Sequence, residues 1–460
     1  EEGQTVFAIK PAGYRFPARA DGTPDFWRHL QTQAGPALKY GGIPPQPGGC
    51  RDFGLEPQNV RRDRALDVLV FTDPQPKSLT DVGYYERDVV DSVLASRSPA
   101  DLGISLGDIV NDDLSLYPAL NRATAKMHLP WLHVAGNHDL DFDAPRDEDS
   151  LRTFRNTYGP DTFAWEESNA VFVALDDVIY HPRPAGDYIG GLRESQFAFL
   201  SSYLATVPRD RLLVIAVHIP FFDAAPGKET FRHADRERLF ALLRDFPHVL
   251  LLSGHSHAQR HVFHDASSGW HGAKPLHEYN VGAACGSFWS GVKDAQGIPD
   301  STMADGTPNG FATLRIAVDR SYQLAWHPAR DVDAAIAVHA PKVLRRSAWP
   351  GTFVYANVFM GHDDTRVEFR IDRGEWKPMQ RTEQPDPRVV AENMRDDQAK
   401  ALRGYDRLPE ASTSAHLWRA ALPTNLAVGE HRVLVRAFGT TPGKESDTAE
   451  TTYRLVEASP

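Results

Sequence analysis

Residues 66–75 read LDVLVFTDPQ, residues 103–111 read GISLGDIVN, and residues 131–139 read WLHVAGNHD. Each stretch starts with a short aliphatic run and ends in acidic, amide or imidazole side chains. Such runs are too short and too apolar for a surface helix, so they predict buried strands. Amphipathic segments at helical spacing separate the runs, as in residues 81–96. The alternation predicts an α/β domain whose strands are covered by helices.

Potential metal ligands follow five of the six strands predicted in this way. The strands are Leu66–Phe71, Gly103–Leu106, Trp131–Val134, Ala170–Leu175, Leu212–Val217 and Val249–Leu252. The carboxyl ends of neighbouring strands converge at one edge of such a sheet, so polar groups placed there meet without being close in sequence. Those groups are Asp73, Asp108, Asn137, His138, His218, His255 and His257.

Each of these motifs has a plainer explanation when it is taken alone. An Asp followed by Pro, as in Asp73-Pro74, is commonly a strand-to-turn residue. A lone histidine such as His218 is commonly a hydrogen-bonded residue near the edge of a core. The joint occurrence of these motifs at successive strand ends favours a shared metal centre.

The residue types fit one kind of chemistry. Carboxylates and imidazoles hold paired divalent ions, which lie roughly 3.5 to 4 Å apart around a shared carboxylate. Such a pair lowers the pKa of a bridging water and neutralises charge on a phosphorus transition state. A nearby imidazole can protonate the leaving oxygen. The pattern therefore predicts a metal-dependent phosphoesterase.

Composition narrows the classes of partner. The chain has 460 residues and a formal net charge of −11, without a Lys/Arg cluster that would attract a nucleic-acid backbone. The proportions of apolar (41%) and charged (24%) residues are those of a globular protein. No apolar stretch is long enough to span a membrane. We therefore expect a small phosphate-ester substrate, no nucleic-acid groove and no transmembrane segment, and leave the oligomeric state open.

The chain termini and cysteines suggest a location and a redox state. Residue 1 is Glu rather than Met, so we expect a processed form of a longer precursor and a periplasmic or secreted location. Cys50 and Cys285 are the only cysteines and lie far apart in sequence. Two separate buried thiols are the favoured interpretation, with a single disulfide as the alternative.

Three regions are predicted along the chain. Residues 1–62 are rich in Gly and Pro and form an N-terminal arm, residues 63–330 form the catalytic domain, and residues 331–460 form a β-rich accessory domain. Alternating strands and tight turns, such as Asp372–Gly374, predict a β-sandwich in the last region. The polar residues 383–412 are expected to be a surface excursion with helical content at best.

The ordered motifs resemble those of the calcineurin-like metallophosphoesterase superfamily. They are Asp73-Pro74-Gln75, Gly107-Asp108-Ile109-Val110-Asn111, Gly136-Asn137-His138-Asp139, Val217-His218 and Gly254-His255-Ser256-His257. Residues 279–283 and 305–310 are similar to a bacterial branch with its own N- and C-terminal accessory domains. The resemblance implies an αββα sandwich, which is two facing β-sheets flanked by helices.

The resemblance also implies a role for each motif. Asp108 would bridge two ions of Mn²⁺, Fe or Zn²⁺, with Asp73 and His257 on the first ion. Asn137, His218 and His255 would bind the second ion. His138 would be the leaving-group acid or a phosphate-binding imidazole, oriented by Asn111 or Asp139.

One residue departs from the superfamily pattern. Gln75 stands where a histidine is usual, two residues after the first Asp. An amide oxygen is a weaker ligand than imidazole for transition metals, so we expect the first ion to be held less tightly or Mn²⁺ to be favoured over Zn²⁺. His261 is a candidate substrate contact and Trp289 a candidate wall for the leaving group, although ordinary structural roles explain both.

Two classes of function remain from the sequence. The first is a dinuclear-metal hydrolase of phosphodiesters or phosphomonoesters, acting by attack of a metal-bridging hydroxide. The second is a non-catalytic protein with a structural metal site and a C-terminal domain that binds carbohydrate or a partner. The presence of His138, which a purely structural site does not need, favours the enzyme. The charge of the chain disfavours a nuclease.

Overall fold

A computed structural model describes most of the chain as two compact units. The described residues are 4–46, 52–58, 64–182, 187–225, 227–349, 351–400, 402 and 406–457. The first unit comprises Glu1–His257, Val262–Cys285 and Phe311–Gln323, and the second comprises Ala258–His261, Gly286–Gly310 and Leu324–Pro460. No helix in these described ranges combines the length and the apolar character needed to cross a bilayer.

The N-terminal arm contributes four short strands to the first unit. They are β1 (Gln4–Phe7), β2 (Tyr14–Arg15), β3 (Trp27–Leu30) and β4 (Glu56–Pro57), paired as β1 with β3 and β2 with β4. Lys10 is fully buried and its ammonium lies 2.6 Å from Glu167 Oε1. This buried ion pair fastens the arm to the body of the unit.

Thirteen further strands in the described residues form the α/β body. They are β5 (Leu66–Phe71), β6 (Leu102–Leu106), β7 (Trp131–Val134), β8 (Phe163–Glu166), β9 (Ala170–Ala174), β10 (Val178–His181), β11 (Asp187–Gly190), β12 (Leu212–Ala216), β13 (Val249–Ser253), β14 (Arg260–His264), β15 (Leu276–Asn280), β16 (Gly310–Ile316) and β17 (Tyr322–Pro328). All six strands predicted from the sequence are present.

Helices cover these strands. They are α1 (Leu79–Tyr84), α2 (Asp91–Ser96), α3 (Tyr117–Thr124), α4 (Arg152–Tyr158), α5 (Glu194–Leu204) and α6 (His233–Leu243). A π-helical stretch, Tyr85–Val90, joins α1 to α2, so the segment predicted as one helix has a wider turn in its middle.

Two sheets form the centre of the first unit. One has the order β17-β16-β5-β6-β7 and the other β14-β15-β13-β12-β9-β8. The strands β5, β6 and β7 run parallel, as do β9, β12, β13 and β15. Every residue of β6, β9 and β12 is buried, because both faces of each sheet are covered. The two facing sheets and their helices confirm the predicted αββα class.

Side-chain contacts join the two sheets at both ends. At the carboxyl end, the ring Nδ1 of His218, beyond β12, lies 2.8 Å from the carbonyl oxygen of Leu106 in β6. At the amino end, Asn169 donates from Nδ2 to the carbonyl oxygen of Arg64 at 3.1 Å. The carboxyl ends of β5, β6, β7, β12 and β13 therefore lie at the same edge of the sandwich.

The second unit is mostly strands. They are β18 (Ile336–His339), β19 (Val343–Arg345), β20 (Phe353–Val358), β21 (Val367–Ile371), β22 (Lys377–Pro378), β23 (Gln380–Thr382), β24 (Leu417–Ala421), β25 (Gly429–Phe438) and β26 (Ser446–Val456). Their sheets have the orders β18-β20-β24-β23 and β19-β26-β25-β21-β22. Val354, Trp418 and Val435 share one buried core, which confirms the predicted sandwich. The polar excursion contains α7 (Pro387–Gln398).

Candidate metal centre

The ends of β6, β7, β12 and β13 bring the predicted second-ion ligands together. Nitrogen and oxygen atoms of Asp108, His218 and His255 all lie within 4.8 Å of one another. His218 Nε2 is 3.3 Å from Asp108 Oδ2 and 3.1 Å from Asn137 Oδ1. These four residues converge on one point although 147 positions of chain separate the first from the last.

The predicted first-ion ligands lie beside them. Asp73 Oδ1 is 3.3 Å from His257 Nε2, and Asp73 Oδ2 accepts a hydrogen bond from the backbone N–H of His255 at 3.0 Å. We call these six side chains the candidate metal centre: Asp73, Asp108, Asn137, His218, His255 and His257.

Two observations test whether cations fit this centre. Asp73 Oδ1 is buried and accepts no hydrogen bond from the described residues. The ring nitrogens His255 Nδ1 and His218 Nε2 face each other at 3.2 Å, an arrangement that leaves at least one of them in need of a proton or a cation. With carboxylate, imidazole and amide oxygen donors present, the residues fit divalent ions of the transition series.

Several loop residues in and beside the candidate metal centre have a strained, left-handed backbone. Positive φ angles, which non-glycine residues rarely adopt, occur at Asp73 (49°), Asp108 (50°), Asp112 (66°), His255 (69°) and His257 (48°). Such conformations cost free energy and persist where the surrounding structure fixes them, often at functional sites. Here the left-handed turns point side chains from several strand ends toward one place.

Glycines allow the loops of the centre to approach closely. A Cβ on Gly136 would lie 2.2 Å from the backbone nitrogen of Asp108, and a Cβ on Gly254 would lie 1.9 Å from Thr72 Oγ1. Neither distance is compatible with a side chain. The glycines before Asn137 and His255 are therefore required for the packing of the strand-end loops.

The electrostatics of the centre reflect close opposite charges. Burial would lower the pKa of His218, but the carboxylates of Asp108, Asp73 and Asp177 together raise it to about 10. Burial would raise the pKa of Asp108, but His218 lowers it well below its ordinary value. For His255, burial and then His218 lower the pKa to about 4. The centre thus favours a positive charge held between carboxylates and imidazoles.

His138 has a different partner from those predicted. Its Nδ1 lies 2.7 Å from Asp112 Oδ1, and its backbone N–H donates to Asp108 Oδ1 at 2.8 Å. Burial would lower the pKa of His138, but the carboxylates of Asp112 and Asp108 together raise it. The left-handed backbone of Asp112 turns its carboxylate toward the imidazole, and its N–H donates to the His138 carbonyl at 3.2 Å.

Asn111 and Asp139 therefore do not orient the His138 ring. The carboxylate of Asp139 accepts from the N–H groups of Gly136 (2.9 Å) and Ile109 (3.1 Å) and from the Tyr117 hydroxyl (3.0 Å). These bonds tie two strand-end loops together. Asn111 is fixed by its backbone N–H, which donates to the Pro76 carbonyl.

Gln75 lies beside Asp108, the carboxylate predicted to bridge the two ions. Its Nε2 donates to Asp108 Oδ2 at 3.0 Å, and Cys285 Sγ lies 3.9 Å from its Oε1. The amide plane thus adjoins the centre, where its orientation decides whether nitrogen or oxygen meets an ion. Cys285 is buried and its Sγ is 3.8 Å from His257 Nδ1. Cys50 lies outside the described residues, so the prediction about cysteine pairing stays a prediction.

The two predicted substrate residues belong to the second unit. His261 lies in β14, and its ring meets that of His362 edge to face at 5.8 Å. Trp289 is buried and has a φ of 53°. Their proposed roles toward substrate stay predictions.

Two tyrosines near the centre were missed by the sequence analysis. Tyr188 in β11 meets the His255 ring edge to face at 6.1 Å. Burial, and then Asp108, raise the pKa of Tyr188 to about 12. Tyr40 in the N-terminal arm donates to the Asp112 carbonyl at 2.9 Å. Neither tyrosine adjoins a motif, so no local signal marks it.

Comparison with known proteins gives distant relatives. Purple acid phosphatase 22 of Arabidopsis thaliana is 23% identical over 217 residues, which are 45% of this chain and 48% of the relative. The chain thus spans about half the length of that curated relative. The fold is similar to a dimetal phosphatase from Danio rerio, at 16% identity and a TM-score of 0.38, covering 55% of this chain and 94% of the other. GAP50, the anchor in the inner membrane complex of Plasmodium, has 14% identity and a TM-score of 0.35, with coverage of 58% and 85%.

Family models match most of the chain. The model for calcineurin-like phosphoesterase matches residues 66–259, and that for the C terminal of calcineurin-like phosphoesterase matches residues 278–441. Members of this family usually bind two divalent metals, in agreement with the Asp and His cluster at the strand ends. These two matches show that the chain belongs to the calcineurin-like phosphoesterase family.

Proposed function

We propose that this chain hydrolyses a phosphodiester or phosphomonoester of a small molecule at the candidate metal centre. The observation that carries the proposal is the convergence of Asp108, His218 and His255 within 4.8 Å, beside Asp73 and His257. Asp108 would be the carboxylate that both ions share, as the resemblance to the family implies. Two bound divalent ions would lower the pKa of the attacking water and neutralise charge on the phosphoryl group.

His138 is proposed as the acid that protonates the leaving oxygen. Its Nδ1 is engaged by Asp112 and its backbone is fixed by Asp108, so Nε2 is the ring nitrogen left for a ligand. The side chain is 29% exposed, so the imidazole is open in part to a ligand. The Asp112 carboxylate stabilises the protonated imidazole, as a leaving-group acid requires.

The same pair argues against a purely structural metal site. A structural site needs ligands alone, whereas His138 and Asp112 form an accessible pair that adds a proton donor beside the centre. The net charge of −11 supports a small substrate drawn by metal rather than a nucleic acid. A periplasmic or secreted location stays a prediction, which fractionation of cells expressing the full gene product would test.

Hydrolysis assays on metal-stripped protein test the proposal. The protein is reloaded with Mn²⁺, Zn²⁺ or Fe²⁺ and offered bis-p-nitrophenyl phosphate and p-nitrophenyl phosphate. We expect metal-dependent turnover, and we expect Asp108→Ala to abolish it. The control is Asp210→Asn, which changes a carboxylate that is 74% exposed and should leave turnover unchanged. The preferred ester distinguishes diesterase from monoesterase. Two bound ions without turnover on either ester would instead favour the metal-binding protein without catalysis.

A further inference from the structure

The hairpin of β10 and β11 places an aromatic side chain against the candidate metal centre. The Tyr188 ring meets the His255 ring edge to face, with centroids 6.1 Å apart and planes at 84°. Tyr188 is half-buried, so part of the side chain remains accessible to a ligand.

The Tyr188 hydroxyl has no hydrogen-bond partner within the described part of the chain. Its backbone N–H, by contrast, donates to Asp187 Oδ1 at 2.9 Å. A phenol at neutral pH is a hydrogen-bond donor that adds no charge. A neutral donor that none of the described residues engages can pair with an oxygen of an anionic ligand bound at the centre.

The hairpin holds the ring in place. Gly190 of β11 donates to the Thr230 carbonyl at 3.0 Å, and its own carbonyl accepts from Arg232 at 2.8 Å. In β10, the Val178 carbonyl accepts from Arg193 Nη2 at 2.8 Å. Both strands are thus anchored to the body of the unit, so the backbone that carries Tyr188 is held in place. The hairpin tip, residues 183–186, lies outside the described residues and is not part of the inferred contact.

We propose that Tyr188 is a substrate-contacting residue, whose hydroxyl donates a hydrogen bond to a phosphoryl oxygen of the ester while its ring covers His255. This inference rests on the proposed phosphoesterase function and adds a recognition residue to it. The plainer alternative is that the ring only packs on His255. Packing needs the ring but not the hydroxyl, so the two explanations differ in what loss of the oxygen does.

The test compares Tyr188→Phe with Tyr180→Phe in the metal-loaded protein. Tyr180 is the cross-strand partner of Tyr188, and its hydroxyl donates to the Phe142 carbonyl at 2.8 Å. Both variants remove one hydroxyl from the same hairpin. We measure kcat/KM for the preferred nitrophenyl ester, the Ki of inorganic phosphate, its Kd by calorimetry, and bound metal.

We expect Tyr188→Phe to lower kcat/KM and to raise the Ki and Kd of phosphate, each by about tenfold, because a hydrogen bond to a charged group is lost. Bound metal and the Tyr180→Phe values should be unchanged. Unaltered phosphate affinity and kcat/KM in Tyr188→Phe would overturn the inference and leave the phosphoesterase function standing. Equal losses in both variants would also overturn it, since a loosened hairpin would then explain them.

Phosphate binding separates this inference from the proposed function. Suppose that the wild-type protein binds phosphate but hydrolyses neither ester, and that the Tyr188→Phe variant binds phosphate more weakly. The contact between Tyr188 and phosphate then stands, and the proposed hydrolysis of these esters does not. If the metal-loaded wild-type protein neither hydrolyses the esters nor binds phosphate, both are overturned.

Discussion

Replacing Asp112 with Asn keeps the shape of the side chain that meets His138 and removes its charge. In the wild-type protein Asp112 Oδ1 lies 2.7 Å from His138 Nδ1. A hydrogen bond between charged groups contributes about 1.5 to 3 kcal/mol. The Asp112 side chain is 50% exposed, so solvent screening places this pair at the lower end, about 1.5 kcal/mol. That figure corresponds to about a tenfold loss of rate where the leaving oxygen needs a proton.

The assay compares esters with good and poor leaving groups. Nitrophenolate departs without a proton, whereas an alkoxide needs one, so we expect Asp112→Asn to slow an alkyl ester about tenfold and a nitrophenyl ester little. The matched control is Asp113→Asn. Its carboxylate accepts hydrogen bonds from the backbone N–H and the hydroxyl of Ser115 rather than from the imidazole, so both rates should remain near wild type.

The metal content of the Asp112→Asn variant shows whether a loss of rate arises from proton transfer or from lost ions. The account predicts the same metal content in Asp112→Asn as in the wild-type protein. Equal losses for both esters together with lost metal would refute the reasoning, because Asp112 would then support the ions rather than the proton transfer of His138.

Three further predictions follow from the structure. Gln75→His should tighten Zn²⁺ binding at the first ion position, so that the weaker of the two Kd values in a Zn²⁺ titration falls. The same weaker Kd in the wild-type protein and the variant would contradict this prediction. Gly254→Ala should weaken metal binding about tenfold or more, because the new Cβ would clash with Thr72. The control is Gly83→Ala, whose Cβ would face open space, and metal binding should not change in it. Burial lowers the pKa of His133 from 6.5 to about 3, so its contribution to stability is complete above pH 6.5 and is lost as pH falls toward 3. In metal-free protein, His133 should therefore lower the free energy of unfolding by up to about 1.4 kcal/mol per pH unit below pH 6.5. The His133→Phe variant should lose less stability over the same range. Urea titrations at pH 7 and pH 4 that show the same loss of stability in both proteins would count against this prediction.

The strands and most candidate ligands were predictable because their signals are local. Leu66–Phe71 is a buried aliphatic run, and β5 has those same bounds; Asp73 stands two residues after its end. The parallel arrangement then fixes which strand ends meet, so Asp108 and His218 are brought together by topology.

The missed residues depend on contacts that no local pattern reports. Asp112 meets His138 because of a left-handed backbone turn, which the sequence Asn111-Asp112-Asp113 does not specify. Tyr188 reaches His255 through a hairpin 67 positions earlier in the chain, and Tyr40 reaches Asp112 from the N-terminal arm. Long-range packing decides such contacts. The predicted three-region division of the chain stays a prediction.

A titration of metal-free protein with Mn²⁺, followed by metal analysis and by hydrolysis of the preferred ester in the same samples, tests whether the bound ions carry the hydrolysis. The account predicts up to two ions per wild-type chain, turnover that rises as the second ion binds, and fewer ions with no turnover in Asp108→Ala. Turnover without bound metal, or equal metal content and activity in Asp108→Ala, would contradict it.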